Sequence, residues 1–546
     1  MKINNIIKTT IGICSLWFCL SIKAQELQPV KHVVVIGFDG LSPNGLKHAN
    51  TPNFDKIISE GASTMHARSV LPSSSSTNWA SMIMGAGPEQ HGITSNAWEK
   101  NNFVLPTIVK SEDFLFPTIF NDINKQIANA EIGAIYHWDG FGRLFEKSAV
   151  DYDVNPKNEN ETAKVASNYI KSKQPTFTFI HFDHVDHAGH EFGHGTPEYY
   201  KSVEKADTLL AEVMKAITSS PMANETVVII SADHGGLGNG HGGETLQEME
   251  IPFIVWGKGV KENYSLNYPV YQYDNAATVA FVLGFKLPMA CIGRPVKNAF
   301  VSFNETDDYP ITKRFTAPII LPKTGSYKQA GGLFVDDAEV RISGSGDIRY
   351  TLDGTMPSEV SKKYTTPFKV SKNTVVKSAL LKDGHVVSTV SEAFFRVIPS
   401  NAKPSVSYEI FYLSNLSSVP FLEKKTPNEK GYCFEITSDE IRDKIKENTA
   451  VLFKTNITIE KEDTYGFFLR SDDGSILKIN NEEIVNNDGD HGVKEKGGSI
   501  HLKPGTYPLE VVWFNGGGGG WLDVYYQTAS QTKQILQSTF FKKKDY

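Results

Sequence analysis

Residues 30–300 alternate short apolar runs with stretches whose apolar positions recur at helical spacing. Three of the apolar runs, "HVVVIGFD", "TFTFIHFD" and "TVVIISAD", have the composition of buried strands, and they end at Asp39, Asp183 and Asp233. This alternation is typical of an α/β fold with a mainly parallel sheet, in which ligands bind at the carboxyl ends of the strands. The sequence therefore predicts that carboxylates distant along the chain converge at one edge of a sheet.

The pattern changes after about residue 312. A proline-punctuated segment, "RFTAPIILPKTG", precedes short alternating strands over residues 316–398, and "VIPSNAKPS" precedes a second β-rich segment over 405–546. Short alternating strands separated by turn residues are typical of β-sandwiches. We expect a catalytic domain over 25–312, a β-sandwich over 313–400 and a second β-sandwich over 401–546. The run Gly516–Gly520 is expected to be a tight loop between two strands.

Residues 1–24 have early lysines, an apolar run and a small residue, Ala24, which together are typical of a cleaved signal peptide. We therefore expect a secreted or periplasmic protein without a transmembrane anchor. The formal net charge of the 546 residues is −7, and no basic stripe is present. These features argue against binding to a nucleic-acid duplex.

Histidine and aspartate are concentrated in two segments. The stretch "HFDHVDHAGHEFGHG" contains five of the 15 histidines, and in it Asp186 and His190 are four residues apart, on one face of a helix. A second stretch, "SADHGGLGNGHGG", supplies Asp233, His234 and His241. Only two cysteines follow the expected signal peptide, in different predicted domains, so a metal would be held by His and carboxylate. With Asp39 the set has three Asp and three His, which fits two Zn²⁺ ions, with Mn²⁺ as an alternative.

A cluster of hydroxyl groups precedes an apolar helical pattern in "SSSSTNWASMIMG". A hydroxyl at the start of a helix lies at the positive end of the helix dipole, which favours an alkoxide or a bound phosphate. Taken alone, these residues favour a helix cap with a serine-rich loop.

The ordered set of "FDG", "TPNFDKI", the serine loop, "GPEQHGI", "DHVDHAGH" and "SADHGG" resembles the alkaline phosphatase superfamily, and within it the type I phosphodiesterase/nucleotide pyrophosphatase family. The resemblance covers about residues 30–300 and implies an alkaline-phosphatase-like fold. It implies that Ser75, three residues before Asn78, is the nucleophile of a phosphoserine mechanism, and that Asn96 binds a non-bridging phosphate oxygen. One zinc ion would be held by Asp186, His190 and His241, and the other by Asp39, Asp233, His234 and Ser75. His241 departs from the animal-type pattern because it lies so soon after the "DHG" motif.

The stretch "IYHWDGFGRLFE" bears on the substrate. Monoesterases of the superfamily carry a Lys/Arg pair at the similar place, whereas this chain has Tyr136, Trp138 and Phe141 with a single Arg143. We therefore expect Trp138 and Arg143 to contact a phosphodiester, although core packing of the aromatic residues and a phosphomonoesterase activity stay open. A sulfatase is disfavoured, because the serine loop lacks the Cys/Ser-x-Pro-x-Arg motif.

The two C-terminal segments resemble accessory modules. Residues 316–398, with "YTLDGTMPS", look like the fibronectin type III-like module of chitobiase-type enzymes, and 405–546 resemble the anthrax protective-antigen-type module. The second resemblance implies a Ca²⁺ and glycan site at Asp472 and Asp473, for which a simple β-turn is the alternative. The expected partners are a phosphodiester small molecule, a phosphorylated glycan or another carbohydrate. A carbohydrate-binding adhesin with a degenerate hydrolase domain is the alternative of another class.

Overall fold

The computed structural model describes residues 30–111, 114–306, 315–324, 329–536 and 540–542. The expected signal peptide, residues 1–24, lies outside the described residues. Within them, no helix is both long enough and apolar enough to cross a membrane.

The N-terminal part is built on one eight-stranded sheet with helices on its faces. Its strands in chain order are β1 His32–Phe38, β2 Ala62–Arg68, β3 Ile132–Tyr136, β4 Tyr152–Val154, β5 Phe177–Phe182, β6 Thr226–Ser231, β7 Glu250–Gly257 and β8 Tyr264–Ser265. They lie in the order β4-β3-β5-β1-β6-β7-β2-β8. Only β7 runs antiparallel to its neighbours, so the sheet is mainly parallel, as predicted.

In the part of the chain that the structure describes, ten α-helices surround this sheet. They are α1 Pro43–His48, α2 Pro52–Ser59, α3 Ser75–Met84, α4 Pro88–His91, α5 Ile119–Gln126, α6 Glu159–Lys173, α7 His184–Phe192, α8 Pro197–Thr218, α9 Leu246–Met249 and α10 Asp274–Leu283. Short 3₁₀ helices occupy Asp139–Arg143, Lys147–Ala149, Ala223–Glu225, Lys297–Ala299 and Asp439–Lys444. Strands β1, β5 and β6 are buried over almost all their length, which explains their continuous apolar runs.

The next strands form two sheets that pack as a β-sandwich. They are β9 Ile319–Leu321, β10 Gly331–Val335, β11 Ala338–Ser343, β12 Asp347–Thr351, β13 Lys362–Lys363, β14 Phe368–Val370, β15 Thr374–Lys382, β16 His385–Val386 and β17 Ser391–Ile398. One sheet has the order β10-β17-β15-β12-β13, with β16 on β15, and the other has the order β14-β11-β9. We call this unit the middle module.

The last strands form a second sandwich, which we call the C-terminal module. They are β18 Val406–Tyr412, β19 Glu429–Cys433, β20 Thr449–Ile459, β21 Asp463–Asp472, β22 Ser475–Ile479, β23 Glu482–Asn487, β24 Lys494–Leu502, β25 Gly505–Asn515, β26 Trp521–Thr528, β27 Gln531–Ile535 and β28 Phe541–Lys542. The sheets have the orders β19-β18-β20-β25-β22-β23, with β28 on β20, and β24-β21-β26-β27. The glycine run 516–520 connects β25 to β26, as the sequence predicted. The predicted fold class, an α/β domain followed by two β-sandwiches, is confirmed, while the exact domain boundaries stay predictions.

A buried ionic cluster joins the two sandwiches. Arg396, on β17 of the middle module, lies 3.1 Å from Glu435 and 2.7 Å from Asp523 of the C-terminal module. All three side chains are buried. The rings of Phe394 and Tyr525 pack beside them, 4.7 Å apart between centroids.

Candidate active site

Carboxylates meet at the carboxyl edge of the eight-stranded sheet. Asp39 directly follows β1, Asp183 directly follows β5, and Asp233 comes two residues after β6. These three strands are neighbours at the centre of the sheet. The backbone N–H of Gly40 donates to Asp233 Oδ1 over 3.0 Å, which ties the end of β1 to the end of β6. The convergence predicted from three separate strand ends is therefore present.

One candidate metal group consists of Asp186, His190 and His241. Asp186 and His190 lie one turn apart on α7, with His190 Nε2 3.1 Å from Asp186 Oδ2. His241 Nε2 lies 3.6 Å from Asp186 Oδ2 and 3.2 Å from His190 Nε2. One ligand atom from each residue lies within 4.8 Å of the others. The structure thus brings together the three residues that the resemblance assigned to one ion, His241 included.

A second candidate group consists of Asp39, Asp186 and His234, again with ligand atoms within 4.8 Å of one another. His234 Nε2 lies 3.4 Å from Asp39 Oδ1 and 3.0 Å from Asp233 Oδ2. Asp186 therefore belongs to both groups, whereas the resemblance gave it to one ion only. Asp233, which the resemblance placed in this group, lies against His234.

The backbone fixes which imidazole nitrogen faces the site. In each of the three histidines Nδ1 is within hydrogen-bond distance of a backbone carbonyl, which can only accept, so Nδ1 carries the proton. The contacts are His190 with Asn239 at 2.8 Å, His234 with Gly235 at 2.7 Å and His241 with Ser73 at 3.0 Å. When the imidazoles are neutral, their Nε2 lone pairs and the carboxylate oxygens all converge as acceptors. Such a set fits a divalent cation.

The electrostatics of the site agree with that fit. Burial, followed by the charge of Asp233, raises the pKa of Asp39 to about 6, and burial raises the pKa of Asp233 to about 7. The Asp186 carboxylate raises the pKa of His190 to about 10, so binding of a cation at His190 Nε2 would release a proton. In the described part of the chain, the ion-pair partners of Asp39, Asp186 and Asp233 are all histidines. Buried carboxylates without a Lys or Arg partner are stabilised when a metal ion supplies the positive charge.

Ser75 is the first residue of α3 and is only 5% exposed. Its Oγ lies 3.3 Å from His234 Nε2, beside the second metal group. Asn96 Nδ2 donates to Ser75 Oγ over 3.5 Å, and Asn96 Oδ1 accepts from the backbone N–H of Ser76 over 2.8 Å. Helix α3 ends at Met84 and is followed by Gly85, whose φ of 64° is the left-handed conformation that favours glycine. The predicted hydroxyl thus lies at a helix N-terminus, between Asn96 and the metal group.

Arg143 lies beside this helix start. From the 3₁₀ helix Asp139–Arg143, its Nη2 donates to Ser76 Oγ over 3.0 Å and to the Asn96 carbonyl over 2.5 Å. Its Nη1 pairs with Glu99 over 3.0 Å. The guanidinium also lies over the Trp138 ring, 5.7 Å from the centroid. Arg143 and Trp138 therefore lie together beside Ser76 and Asn96.

Of the three aromatic residues considered for substrate contact in the stretch 135–146, two belong to the core. Tyr136 and Phe141 are buried in the core of the N-terminal part, where Phe141 stacks on Phe179 with centroids 4.8 Å apart. Only Trp138 remains partly exposed beside Arg143. Core packing, the alternative left open by the sequence, accounts for the other two rings.

Several contacts to the site carboxylates were not predicted from the sequence. Trp79 Nε1, on α3, donates to Asp39 Oδ2 over 2.9 Å, and His181 Nε2 lies 3.3 Å from the same oxygen. His194, buried, has Nε2 3.6 Å from Asp186 Oδ1. The density of histidines between 181 and 194 was a signal for the two imidazoles. No sequence pattern distinguished Trp79 from an ordinary core residue.

Asp472 and Asp473 lie at the end of β21, in the C-terminal module. Asp473 accepts hydrogen bonds from the backbone N–H groups of His491, at 2.9 Å, and Gly516, at 2.8 Å. Asp472 is only 6% exposed. Neither belongs to the groups of three or more close ligands found among the described residues.

Comparison with known proteins places three family models on the chain. Residues 33–239 match "Type I phosphodiesterase / nucleotide pyrophosphatase", residues 340–395 match "Fn3 associated", and residues 407–539 match "PA14 domain". These matches confirm the resemblances drawn from the motifs, including the order of the three units.

Individual relatives are similar over part of the chain. A venom phosphodiesterase of Crotalus durissus collilineatus is 24% identical over 217 residues, which are 37% of this chain and 26% of that protein. The human bis(5'-adenosyl)-triphosphatase is 22% identical over 214 residues, 37% of this chain and 47% of that protein. The chain thus spans about a quarter to a half of the length of these relatives.

Among solved structures, murine ectonucleotide pyrophosphatase/phosphodiesterase 5, in an inactive form in complex with AMP, is 16% identical, with 47% of this chain and 96% of that chain covered and a TM-score of 0.41. The alkaline phosphatase PafA is 12% identical, with 50% and 99% covered and a TM-score of 0.42.

Proposed function

We propose that this protein is an exported two-metal phosphodiesterase that cleaves phosphodiester or pyrophosphate bonds through a phosphoserine intermediate. The observation that carries the proposal is the position of Ser75 Oγ, 3.3 Å from His234 Nε2 in one candidate metal group and 3.5 Å from Asn96 Nδ2. The family match over residues 33–239 supports the reaction class. The N-terminal sequence pattern of residues 1–24 supports export.

In the proposed reaction, the residues around Ser75 have separate roles. Ser75 Oγ attacks phosphorus, the bond from phosphorus to the departing alcohol oxygen breaks, and the phosphoryl group is held on Ser75 until water displaces it. Asn96 Nδ2 is placed to donate to a non-bridging oxygen, and the N-terminus of α3 adds the positive end of its dipole. Arg143 holds the Asn96 carbonyl and Ser76, and thereby fixes this group of donors.

Two Zn²⁺ ions are the cofactors that we propose, with Mn²⁺ as the alternative, because the donors are imidazole and carboxylate without thiolate. Bound there, they would supply Lewis acidity that favours ionised oxygen atoms at near-neutral pH. Asp186, His190 and His241 would hold one ion. Asp39 and His234, with Asp233 and Ser75 beside them, would hold the other.

A diester is favoured over a monoester because the mouth of the site offers one guanidinium, already paired with Glu99, and the face of Trp138. A monoester carries an additional negative charge, for which no free cationic pair is present among the described residues near Ser75. Nucleotides and phosphorylated glycans both fall within this class.

For the C-terminal module we propose a Ca²⁺ site at Asp472 and Asp473 that binds carbohydrate. The match of residues 407–539 to the PA14 domain and the hard oxygen donors support it. Titration of the metal-free protein with Ca²⁺ should raise its melting temperature, and Asp473→Asn should abolish that rise. A rise of equal size in the variant would contradict the site.

The reaction is tested with bis-p-nitrophenyl phosphate and p-nitrophenyl phosphate on one preparation. We expect hydrolysis of the diester, its loss in EDTA and its recovery with Zn²⁺. Ser75→Ala should retain metal and lose turnover by about 10³-fold or more. Ser95→Ala, which removes an exposed hydroxyl next to Asn96, is the matched control and should keep full activity. Unchanged turnover in Ser75→Ala would overturn the proposal, and a hundredfold preference for the monoester would reverse the substrate class.

A further inference from the structure

His241, a candidate metal ligand, is carried by a glycine-rich segment, residues 235–243, which we call the His241 loop. Six of the nine residues of this loop are glycine. Glycine loses more conformational freedom on folding than any other residue, so such a loop has little conformational preference of its own. The position of the His241 imidazole therefore depends on the contacts that hold the loop.

On one side, the loop is held by residues of the N-terminal part. Asn239 Nδ2 donates to the His190 carbonyl over 2.7 Å, and His190 Nδ1 donates to the Asn239 carbonyl over 2.8 Å. Ser73 Oγ donates to the Gly243 carbonyl over 2.6 Å and accepts from the Gly242 backbone N–H over 3.1 Å. These bonds tie the loop to helix α7 and to the serine-rich segment before α3.

On its other side, the loop lies directly against the C-terminal module. A Cβ atom added at Gly240 would lie 2.7 Å from Val493 N, and one added at Gly492 would lie 3.1 Å from Gly240 Cα and 3.9 Å from His190 Cε1. Gly492 and Val493 belong to the β23–β24 loop, residues 488–493. The two backbones thus approach so closely that even a methyl group at Gly240 would force one of them to shift.

A second contact comes from a rigid part of the same module. A Cβ atom added at Gly238 would lie 3.4 Å from Cζ3 of Trp521, whose side chain is buried. The Trp521 indole donates to Asp523 Oδ2 over 2.8 Å, and the Arg470 guanidinium lies 4.7 Å from its ring centroid. Asp523 is also the partner of Arg396 in the buried cluster that joins the two sandwiches. The His241 loop therefore lies beside an indole that is fixed from several sides.

We infer that the C-terminal module is a structural part of the metal site that contains His241. The backbone of Val493 and the indole of Trp521 are positioning groups that confine the His241 loop. The inference rests on the proposed two-metal function, and it adds that one of the two ions is bound by a site to which both domains contribute. In the other group, Asp39 and His234 lie close to the ends of β1 and β6 and are held by the sheet, so that group does not depend on the module.

The test is Gly492→Leu in the full-length protein, because the new side chain would enter the gap between the module and the His241 loop. Zn²⁺ binding to the metal-free protein is measured by competition with a chromophoric chelator. We expect the dissociation constant of one ion to rise at least tenfold, a loss typical of a missing orienting contact, while that of the other stays within about threefold.

A second measurement follows the loop itself without any metal. Hydrogen exchange of the backbone amides of residues 235–243, detected by mass spectrometry on the metal-free protein, should be about tenfold faster in Gly492→Leu than in the unmodified protein, because local opening no longer breaks the contact with the module. Gly505→Leu is the matched control. It lies at the exposed start of β25, where an added Cβ atom would be 3.4 Å from the Tyr507 ring, and it should leave both measurements unchanged.

Unchanged dissociation constants or unchanged loop exchange in Gly492→Leu would overturn the inference, and so would an equal rise of both constants, while the two-metal proposal stands in each case. Unmodified protein that binds neither Zn²⁺ nor Mn²⁺ would instead refute the metals of the proposed function. If the leucine variant fails to fold, Gly492→Ala decides the question, since its methyl group would still lie 3.1 Å from Gly240 Cα. It should raise the one dissociation constant about threefold, and no rise would overturn the inference.

Discussion

Charged side chains are buried at two places in this protein, and the two places balance their charge differently. At the junction of the sandwiches, Arg396 lies between Glu435 and Asp523, and Thr437, Trp521 and Tyr525 complete the hydrogen bonding of Asp523. At the edge of the eight-stranded sheet, the ion-pair partners that Asp39, Asp186 and Asp233 have among the described residues are all histidines. The first cluster carries its own cation, whereas the second would be completed by the metal ions that we propose. Burial of carboxylates therefore does not by itself indicate a metal site. What distinguishes the second cluster is that its carboxylates have no Lys or Arg partner among the described residues.

We expect the largest effect on turnover from substitution of Asp186, whose carboxylate belongs to both candidate metal groups. Asp186→Asn should lower turnover of bis-p-nitrophenyl phosphate by about 10³-fold or more and release bound metal, because Asp186 lies in both candidate groups. Asp183→Asn, which changes another strand-end acid outside both groups, should stay within tenfold. Rates are to be measured together with metal content by atomic absorption. Full metal occupancy and near-normal turnover in Asp186→Asn would remove the contrast between the two clusters.

Substitutions in the buried cluster of Arg396, Glu435 and Asp523 should change the stability of the protein rather than its turnover. Arg396→Met leaves two buried carboxylates without their cation, and we expect a loss of about 3–5 kcal/mol in the free energy of unfolding of the sandwich modules. Arg349→Met, which breaks the partly exposed pair with Asp347, should cost less than about 1 kcal/mol. Urea unfolding followed by circular dichroism measures both. Equal losses in the free energy of unfolding for the two variants would show that the Arg396 cluster stabilises the protein no more than a partly exposed ion pair does.

The buried imidazole next to Asp186 is expected to have a smaller effect. His194 contacts Asp186 Oδ1 at 3.6 Å and is not itself in a candidate metal group. Loss of such an orienting group typically costs 10- to 100-fold in activity or metal affinity, which is what we expect for His194→Phe. His187, on the same helix but exposed, is the control, and His187→Asn should be neutral. Equal effects of the two changes would exclude an orienting role for His194.

The smallest expected effect is a pH dependence. Burial raises the pKa of Glu435 to about 7, and Arg396 opposes that shift. Because the native state holds this proton more tightly than the unfolded chain, the Glu435 contribution to stability falls as pH rises from about 4.5 through 7. Glu435→Gln cannot titrate, so its melting temperature should decline less over that range, a difference worth about 1–3 kcal/mol. Parallel melting curves for the two proteins would contradict this assignment.

Much of the carboxylate and histidine cluster could be predicted from the sequence because its signals are local. Apolar runs that end in Asp identify strand ends, and the four-residue spacing of Asp186 and His190 identifies one face of a helix. Parallel strands then bring distant ends to one edge without further information. The same local patterns predicted the α/β domain, both sandwiches and the glycine loop 516–520.

The remaining features depend on how the units pack, which short patterns do not encode. The aromatic residues near 138 could not be divided into core and surface, and Tyr136 and Phe141 proved to be core. The contact of the C-terminal module with His190 could not be foreseen, because the predicted linkers set no orientation between units. Likewise, the sharing of Asp186 between two groups follows from the position of α7 relative to β1, which is a tertiary property.

One residue without a side-chain functional group constrains the position of the helix that begins with Ser75, the proposed nucleophile. Gly37 lies on β1 directly under the indole of Trp79, where a Cβ atom would come within 2.5 Å of two ring carbons. Any larger residue at this position would push the indole away from Asp39 and displace the helix that begins with Ser75. Homologous sequences should therefore change positions 37 and 79 together or keep both. Gly37 would then be constrained as strictly as a residue that takes part in the reaction.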